Sequence, residues 1–217
     1  MLKKKKEKII QTCHDLVENG HSQNTGVAGN VSERDPAENL IAITPSHTRY
    51  DTMETEDIII VDKDGNVVQG KDNLKPSSEL LSHLAIYQNF DEVHSVIHSH
   101  PKYSTALGLL LDKIPPVSEA HGYFFGYEIP IIEHVKTRTE KMAKTIVNNL
   151  KKRPGLVIQN HGIVTVGENV DEALIRALEM ENNSMLYYLA KLLGMGEPKC
   201  LDKQSIKELQ EKYQSNR

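Results

Sequence analysis

The chain has 217 residues, of which 38% are hydrophobic and 26% charged, and its formal net charge is −4. This length suits one domain with a sizeable core, and the mild negative charge argues against nucleic acid as a partner, since phosphate backbones require clustered lysine and arginine. No apolar run approaches the about 20 residues of a membrane span, and the charged N-terminus is not followed by the apolar stretch of a signal peptide. Cys13 and Cys200 are far apart in sequence and form no CxxC pair, and nothing in the sequence supports a disulfide between them. We therefore expect a soluble cytoplasmic protein.

The first part of the chain is predicted to form a helix followed by short strands. Residues from about 5 to 19 have the apolar spacing of an amphipathic helix, and Asn19 and Gly20 end it. Runs with strand character, separated by turn residues, are Val27–Ser32, Leu40–Thr44, Asp57–Asp62 and, after the turn Lys63–Asn66, Val67 and Val68. A helix with Ser77 or Ser78 as its cap then follows.

The second part is predicted to alternate helices with short strands. One predicted strand ends at His98–His100. Three others cover Ile129–Ile132, Leu156–Gln159 and Ile163–Val166. Predicted helices cover about 104–111, 137–150 and 169–193, with a polar helical tail from about 197 onward. Because short turns join several strands, the sheet should be mixed and largely antiparallel. The chain is predicted to be one α/β domain over residues 1–217.

Three histidines are candidate metal ligands. His98 and His100 are two apart after an apolar run, so their side chains point to the same side of an extended chain. A lone His-x-His pair is commonly a solvated pair at a strand end, but His161 follows a second apolar run and can supply a third imidazole. Three neutral imidazoles are a frequent catalytic zinc set. Glu79 is the candidate for proton transfer beside the ion.

Small polar residues in three turns predict a pocket for a small anion. Gly29 and Asn30 form one turn, Ser46 and His47 follow a predicted strand, and Ser77 and Ser78 precede a predicted helix. Glycine allows close backbone approach, and the N–H groups at a helix start favour an anion. Each turn alone is typical of an ordinary cap or loop, but together with the metal candidates they indicate a phosphate site beside Glu79.

Six motifs in one order carry a resemblance to a known family. They are Ala-Gly-Asn-Val-Ser (28–32), Ile-Thr-Pro-Ser (43–46), Pro-Ser-Ser-Glu (76–79), His-Leu-Ala-Ile-Tyr (83–87), His-Ser-His-Pro (98–101) and Asn-His-Gly (160–162). With these motifs, over about residues 5 to 195, the chain resembles the class II aldolase and adducin family. The resemblance implies a three-layer fold, with a central sheet between helices, and a homotetramer whose active sites lie between neighbouring protomers.

The resemblance also implies roles for individual residues. His98, His100 and His161 would hold Zn²⁺, or another divalent ion such as Mn²⁺ or Co²⁺, and Glu79 would be the acid/base residue and a metal ligand before substrate arrives. The substrate phosphate would be held by the matching turn residues, which are Gly29, Asn30, Ser46, His47, Ser77 and Ser78. His47 stands where the family has glycine, so only its backbone N–H matches that role.

The activity implied is reversible cleavage of a ketose 1-phosphate, similar to L-fuculose 1-phosphate, into dihydroxyacetone phosphate and a small aldehyde. Glu119, His121 and Tyr123 are the candidates for the aldehyde side. This segment is also similar to a loop of the ribulose-phosphate 4-epimerases, which however have Asp at the position of Glu79 and an acidic residue near Gly122. Epimerisation is therefore the second activity that the sequence supports.

The same scaffold would also suit a dehydratase or decarboxylase, or a metal-free binding module of the adducin type. The binding module is disfavoured because the chain retains all three candidate metal ligands, His98, His100 and His161. The family supplies a tyrosine from the adjacent protomer, for which Tyr187, Tyr188 and Tyr213 are candidates; ordinary packing is the default interpretation of each.

Overall fold

The structure is a computed structural model that describes residues 2–23, 29–151 and 153–215. The helices in these ranges are α1 Leu2–Glu18, α2 Leu80–Asn89, α3 Lys102–Leu107, α4 Glu119–Phe124, α5 Glu140–Leu150, α6 Val170–Leu192 and α7 Lys203–Ser215. The strands are β1 Asn30–Asp35, β2 Leu40–Ile43, β3 Ile59–Val61, β4 Val67–Gln69, β5 Ser95–Ser99, β6 Lys113–Ile114, β7 Ile129–Ile132, β8 Gly155–Ile158 and β9 Gly162–Gly167. Two short 3₁₀ turns, Tyr50–Thr52 and Thr55–Asp57, connect β2 to β3.

The strands form one sheet in the order β4-β3-β2-β1-β5-β9-β8-β7-β6. Each neighbouring pair is antiparallel except β7 and β8, which are parallel. The mixed, largely antiparallel sheet predicted from the sequence is therefore confirmed. The central strands β1, β5 and β9 are buried almost throughout, which fits strands covered on both faces.

Helices cover both faces of the sheet, as the three-layer expectation required. Side chains two apart point to one face, so Ile41 and Ile43 pack in the core under α2 and α5, whereas Ala42 packs in the core under α1. The helices α3 and α6 cover the same face as α1, over β8 and β9. α4 and α7 pack against each other beside α6. No helix among the described residues is long and apolar enough to cross a bilayer.

The helical tail predicted from about 197 begins only at Lys203, and three other local predictions also need correction. The strand predicted at Val27–Ser32 is observed from Asn30 to Asp35, and Val27 and Ala28 lie outside the described residues. Glu79, and neither Ser77 nor Ser78, is the N-cap of α2, and it makes no side-chain capping bond. Ser77 Oγ accepts a hydrogen bond from the Glu79 N–H at 3.3 Å, which forms a tight turn before the helix.

The third correction concerns the segment interpreted as a loop, which contains the helix α4. Ser118 caps this helix, since its Oγ accepts from the His121 N–H at 3.1 Å. A Cβ on Gly122 would lie 2.7 Å from Leu209 Cδ1 of α7, so this glycine permits the close packing of the two helices. α4 is thus stabilised by a contact distant in sequence.

Candidate metal centre and substrate pocket

Three histidines converge because two paired strands meet at one end. β5 and β9 are antiparallel with Ser99 opposite Ile163, so the end of β5 lies beside the start of β9. His98 is within β5, His100 follows it, and His161 lies in the turn before β9. One ring nitrogen of each histidine lies within 4.8 Å of the others. The predicted metal trio is therefore brought together by the fold.

Gly162 makes this convergence sterically feasible. A Cβ at this position would lie 2.3 Å from the Ser99 carbonyl oxygen and 2.6 Å from Cδ2 of His100. Neither contact is tolerated, so only glycine lets the β9 turn approach β5 this closely. Asn160, two residues earlier, has φ of 57° and closes the same turn. The Asn-His-Gly motif is therefore a geometric requirement for placing His161 next to His100.

Burial keeps these imidazoles neutral. It lowers the pKa of His98 and of His161, and it lowers the pKa of His100 to about 4. His98 Nδ1 lies 2.8 Å from the Ile163 carbonyl oxygen, which fixes the proton on Nδ1 and leaves the Nε2 lone pair directed to the centre of the trio. Nε2 of His98 and of His100 are 2.9 Å apart. A set of neutral, convergent imidazoles with one backed by a carbonyl fits a divalent metal.

Glu79 faces the trio. Its Oε2 lies 3.1 Å from His98 Nε2 and its Oε1 lies 3.6 Å from His161 Nε2. Burial raises the pKa of Glu79, but the positive charge that His98 and His161 carry when protonated outweighs it, with help from the Asn30 amide, which donates to Oε2 at 3.3 Å. Together they hold the pKa of Glu79 below its ordinary value. Glu79 is therefore ionised at neutral pH, as a proton acceptor must be.

Two of the predicted phosphate turns are joined to each other. An isolated antiparallel bridge pairs Pro45 with Pro76. Across it, the Ser46 N–H donates to the Lys75 carbonyl at 2.8 Å and the Ser77 N–H donates to the Thr44 carbonyl at 3.0 Å. This bridge brings the hydroxyl-bearing side chains of both turns to the same wall of the pocket.

The third turn approaches the metal trio through Gly29. It has φ of +100°, and a Cβ there would lie 2.7 Å from the His98 carbonyl oxygen, so the position requires glycine. One pocket is lined by the metal trio, Glu79 and all six predicted phosphate residues, Gly29, Asn30, Ser46, His47, Ser77 and Ser78.

The same pocket is lined by residues that the sequence did not single out, which are Ser22, Gln23, Thr48, Tyr50, Thr137 and Arg138. They come from connecting segments, which carry no periodic pattern. Arg138 has φ of 62°, an uncommon backbone conformation for a side chain of this size, and it directly precedes Thr139, the N-cap of α5. The sequence predicts a helix from about 137, whereas α5 begins at Glu140, so Thr137 and Arg138 lie on the connection before it.

The candidates for the aldehyde side lie on α4 and do not line the described pocket of their own chain. Glu119 is exposed, whereas His121 is fully buried with its Nε2 2.8 Å from the Tyr127 carbonyl oxygen. The Tyr123 ring lies 4.7 Å from that of Tyr213, on α7. Within one chain, these residues therefore pack α4 and do not meet the metal trio.

The three C-terminal tyrosines have packing contacts. Tyr187, on α6, is buried in the core cluster that also contains Leu107 of α3. Tyr188 is 37% exposed and its ring lies 5.4 Å from that of Tyr103. Tyr213 hydrogen-bonds to Glu172 of α6 through its hydroxyl. Within the single chain, each of the three tyrosines therefore makes ordinary packing contacts.

Comparison with known proteins agrees with this site. Residues 7–188 match the family described as Class II Aldolase and Adducin N-terminal domain. The chain is 29% identical to 5-deoxy-D-ribulose 1-phosphate aldolase of Bacillus thuringiensis serovar kurstaki, covering 99% of this chain and 97% of that protein. It is 32% identical to L-ribulose-5-phosphate 4-epimerase of Salmonella paratyphi A, covering 90% and 89%.

A solved structure shows the same fold. L-fuculose 1-phosphate aldolase superimposes with a TM-score of 0.88 at 31% identity, covering 97% of this chain and 96% of that one. The chain therefore belongs to the class II aldolase and adducin family. The family, the fold and the enzyme class predicted from the sequence are confirmed.

Proposed function

We propose that the protein is a divalent-metal-dependent aldolase that reversibly cleaves a ketose 1-phosphate, similar to L-fuculose 1-phosphate, into dihydroxyacetone phosphate and a small aldehyde. One observation carries the proposal. The ionised Glu79 carboxylate lies 3.1 Å and 3.6 Å from two imidazoles of a metal-type trio, in a pocket walled by phosphate-type turns. Relatives with aldolase names support it.

His98, His100 and His161 would hold the cation, with Glu79 as a further ligand before substrate arrives. A divalent cation supplies electrostatic stabilisation of the negative charge that develops on the substrate oxygens when C3 and C4 separate. The proposed metal is Zn²⁺, and Mn²⁺ or Co²⁺ could take its place, since three imidazoles accept each of these ions.

The protein's own residues perform binding and proton transfer. Hydroxyls of Ser46, Ser77 and Ser78, with the backbone beside Gly29, hold the phosphate on C1. As the bond between C3 and C4 breaks, the ionised Glu79 carboxylate would take up the proton of the C4 hydroxyl, which becomes the aldehyde, and then deliver that proton to C3. In the condensation direction Glu79 would remove the proton from C3 and return it to the aldehyde oxygen.

The proposed assembly is a homotetramer in the cytoplasm, with active sites between protomers. Exposed apolar side chains on and after α3 and α6 support such an interface, namely Leu109, Leu110, Leu189, Leu192, Leu193 and Met195. Met195 is 90% exposed and Leu110 is 84% exposed, which is costly for a chain that remains alone. In that assembly α4 of a neighbouring chain would bring Glu119 and Tyr123 to the aldehyde side, whereas the buried His121 would hold α4 in place through the Tyr127 carbonyl.

The second candidate is a 4-epimerase, which a relative of that name at 32% identity favours. Both reactions break and re-form the bond between C3 and C4, so the metal trio serves either. They differ in where the phosphate lies, on C1 for the aldolase and on C5 for the epimerase. The fate of the aldehyde fragment also differs, since it is released in one reaction and retained in the other.

The deciding experiment is incubation of the Zn²⁺-loaded protein with dihydroxyacetone phosphate and a panel of two- to four-carbon aldehydes. We expect ketose 1-phosphate products by mass spectrometry and none with Glu79→Gln. In parallel, L-ribulose 5-phosphate is incubated and tested for its 4-epimer. Epimerisation without condensation would replace the aldolase proposal, and neither reaction would reject both.

A further inference from the structure

A chain of buried polar groups runs from the core to the Glu79 carboxylate. The Tyr87 hydroxyl lies 2.6 Å from Ser32 Oγ, and Ser32 Oγ lies 2.6 Å from His83 Nδ1. His83 Nε2 is hydrogen-bonded to Asn30 Oδ1, and Asn30 Nδ2 donates to Glu79 Oε2 at 3.3 Å. His83 is 1% exposed, so its bonds are shielded from water.

The donor and the acceptor of every hydrogen bond in this series can be assigned from the Glu79 carboxylate at one end and the neutral His83 ring. An ionised carboxylate only accepts hydrogen bonds, so the Asn30 amide presents its NH₂ group to Glu79 and its oxygen to His83. His83 Nε2 must then carry a proton. Burial lowers the pKa of His83 to about 3, so the ring is neutral and its Nδ1 accepts from the Ser32 hydroxyl. The Ser32 oxygen in turn accepts from the hydroxyl of Tyr87.

We propose that His83 is a positioning residue that aims the Asn30 amide at the Glu79 carboxylate and so holds Glu79 toward the metal trio. Without the Nε2–H donor of His83, nothing holds the Asn30 oxygen on the side away from Glu79. If the amide turned over, its oxygen would face the Glu79 carboxylate, and the two acceptors would repel each other. The inference rests on the proposed function, in which Glu79 transfers the proton, but the geometry that it concerns can be observed without substrate.

The orientation of the Asn30 amide also connects the Glu79 carboxylate with the proposed phosphate site. The Asn30 NH₂ group has two hydrogens, and only one is used by Glu79. The second remains for the substrate phosphate, for which Asn30 is a proposed ligand. A single amide, oriented by His83, would therefore set the distance between the bound phosphate and the acid/base carboxylate.

The test compares His83→Gln with His83→Asn. The glutamine amide nitrogen reaches the position of Nε2 and restores the donor to Asn30, whereas the shorter asparagine reaches only the position of Nδ1. We expect His83→Asn to lower kcat roughly 10- to 100-fold, the range for outer-shell changes, and His83→Gln to remain close to wild type. Thr165→Val is the matched control, since it removes a buried hydroxyl bonded to the Ala173 carbonyl away from the pocket.

Crystal structures of the three Zn²⁺-loaded proteins supply the readout that needs no turnover. The contact between Asn30 and Glu79 should stay near 3.3 Å in wild type and His83→Gln and open in His83→Asn. Equal losses in both variants, or an unmoved Glu79 in His83→Asn, would overturn the proposal. An inactive wild type with Glu79 displaced only in His83→Asn would instead reject the proposed reaction and retain the positioning role. If His83→Asn does not fold, Ser32→Ala, which frees the His83 tautomer, should lower kcat in the same direction, and an unchanged kcat would overturn the proposal.

Discussion

The metal side of the pocket and the α4 segment are built on different principles. His98, His100 and His161 are placed by the pairing of β5 with β9, so one chain determines their geometry. Glu119 and Tyr123 lie on a six-residue helix held against α7, apart from the pocket of the same chain. If the proposed function holds, bond cleavage would depend on the rigid sheet and substrate choice on assembly, so the two could be changed separately.

The largest effect should come from breaking the metal side. His161→Ala removes one of three ligands, and we expect metal affinity to fall by more than about 100-fold, beyond the range of outer-shell changes, with loss of all activity. Metal content measured by elemental analysis after dialysis checks this. His94→Ala, on a histidine outside the pocket, is the control and should retain stoichiometric metal.

A substitution of the proposed acid/base residue should separate metal binding from proton transfer. Glu79→Gln keeps the size of the side chain but removes the carboxylate, so kcat should fall by about 10²–10⁴-fold, the usual span for a general acid or base. Metal content should fall far less than in His161→Ala, since the three histidines remain. A variant with unchanged kcat would show that another group moves the proton.

Two buried histidines outside the sheet, His83 on α2 and His21 after α1, predict an acid-sensitive fold for the metal-free protein. Burial lowers the pKa of His83 to about 3 and of His21 to about 4, both below the unfolded value of 6.5. The unfolded chain therefore binds more protons, and the free energy of unfolding should fall as the pH drops below 6.5, by ~1.4 kcal/mol per pH unit for each histidine. Urea denaturation between pH 7 and 5 measures this slope.

His21→Gln is the matching variant for that titration. It removes one proton-linked group, so the slope should decrease by ~1.4 kcal/mol per pH unit while the pH 7 value changes little. A slope identical to that of the wild-type chain would show that His21 is not neutral in the folded state.

The smallest effect is expected on the α4 side. Glu119→Gln and Tyr123→Phe should change the ratio of kcat/KM between two aldehydes by roughly tenfold, as for single contacts in a specificity pocket. Metal content and the Asn30–Glu79 geometry should not change. Competition between two aldehydes in one reaction gives this ratio directly. A loss of metal in either variant would contradict the separation of the two regions.

The parts that were predictable from the sequence are those governed by local periodicity. The two-residue spacing of His98 and His100 predicts that both side chains point to the same side of an extended run. Gly162 indicates the close approach of β9 to β5. The carboxylate of Glu79 was recognisable from its place after Ser77 and Ser78, although the expected serine cap was wrong.

What could not be predicted depends on contacts between distant segments. α4 has a glycine in its middle, which is typical of a loop, and only its packing against Leu209 of α7 shows why that glycine is compatible with a helix. Thr137 and Arg138 lie on a connection without periodic pattern, and only the folded chain brings them to the pocket. The link from His83 through Asn30 to Glu79 likewise joins three separate motifs.

The bridge between Pro45 and Pro76 has a consequence for changing what the enzyme recognises. Ser46 and Ser77 sit on either side of it, so a backbone shift in one segment is transmitted to the other and neither hydroxyl moves alone. If these serines hold the phosphate as proposed, redesign toward a donor substrate with its phosphate at another distance from the carbonyl would have to alter both segments together. Libraries that randomise only one segment should then yield mostly weakened binders.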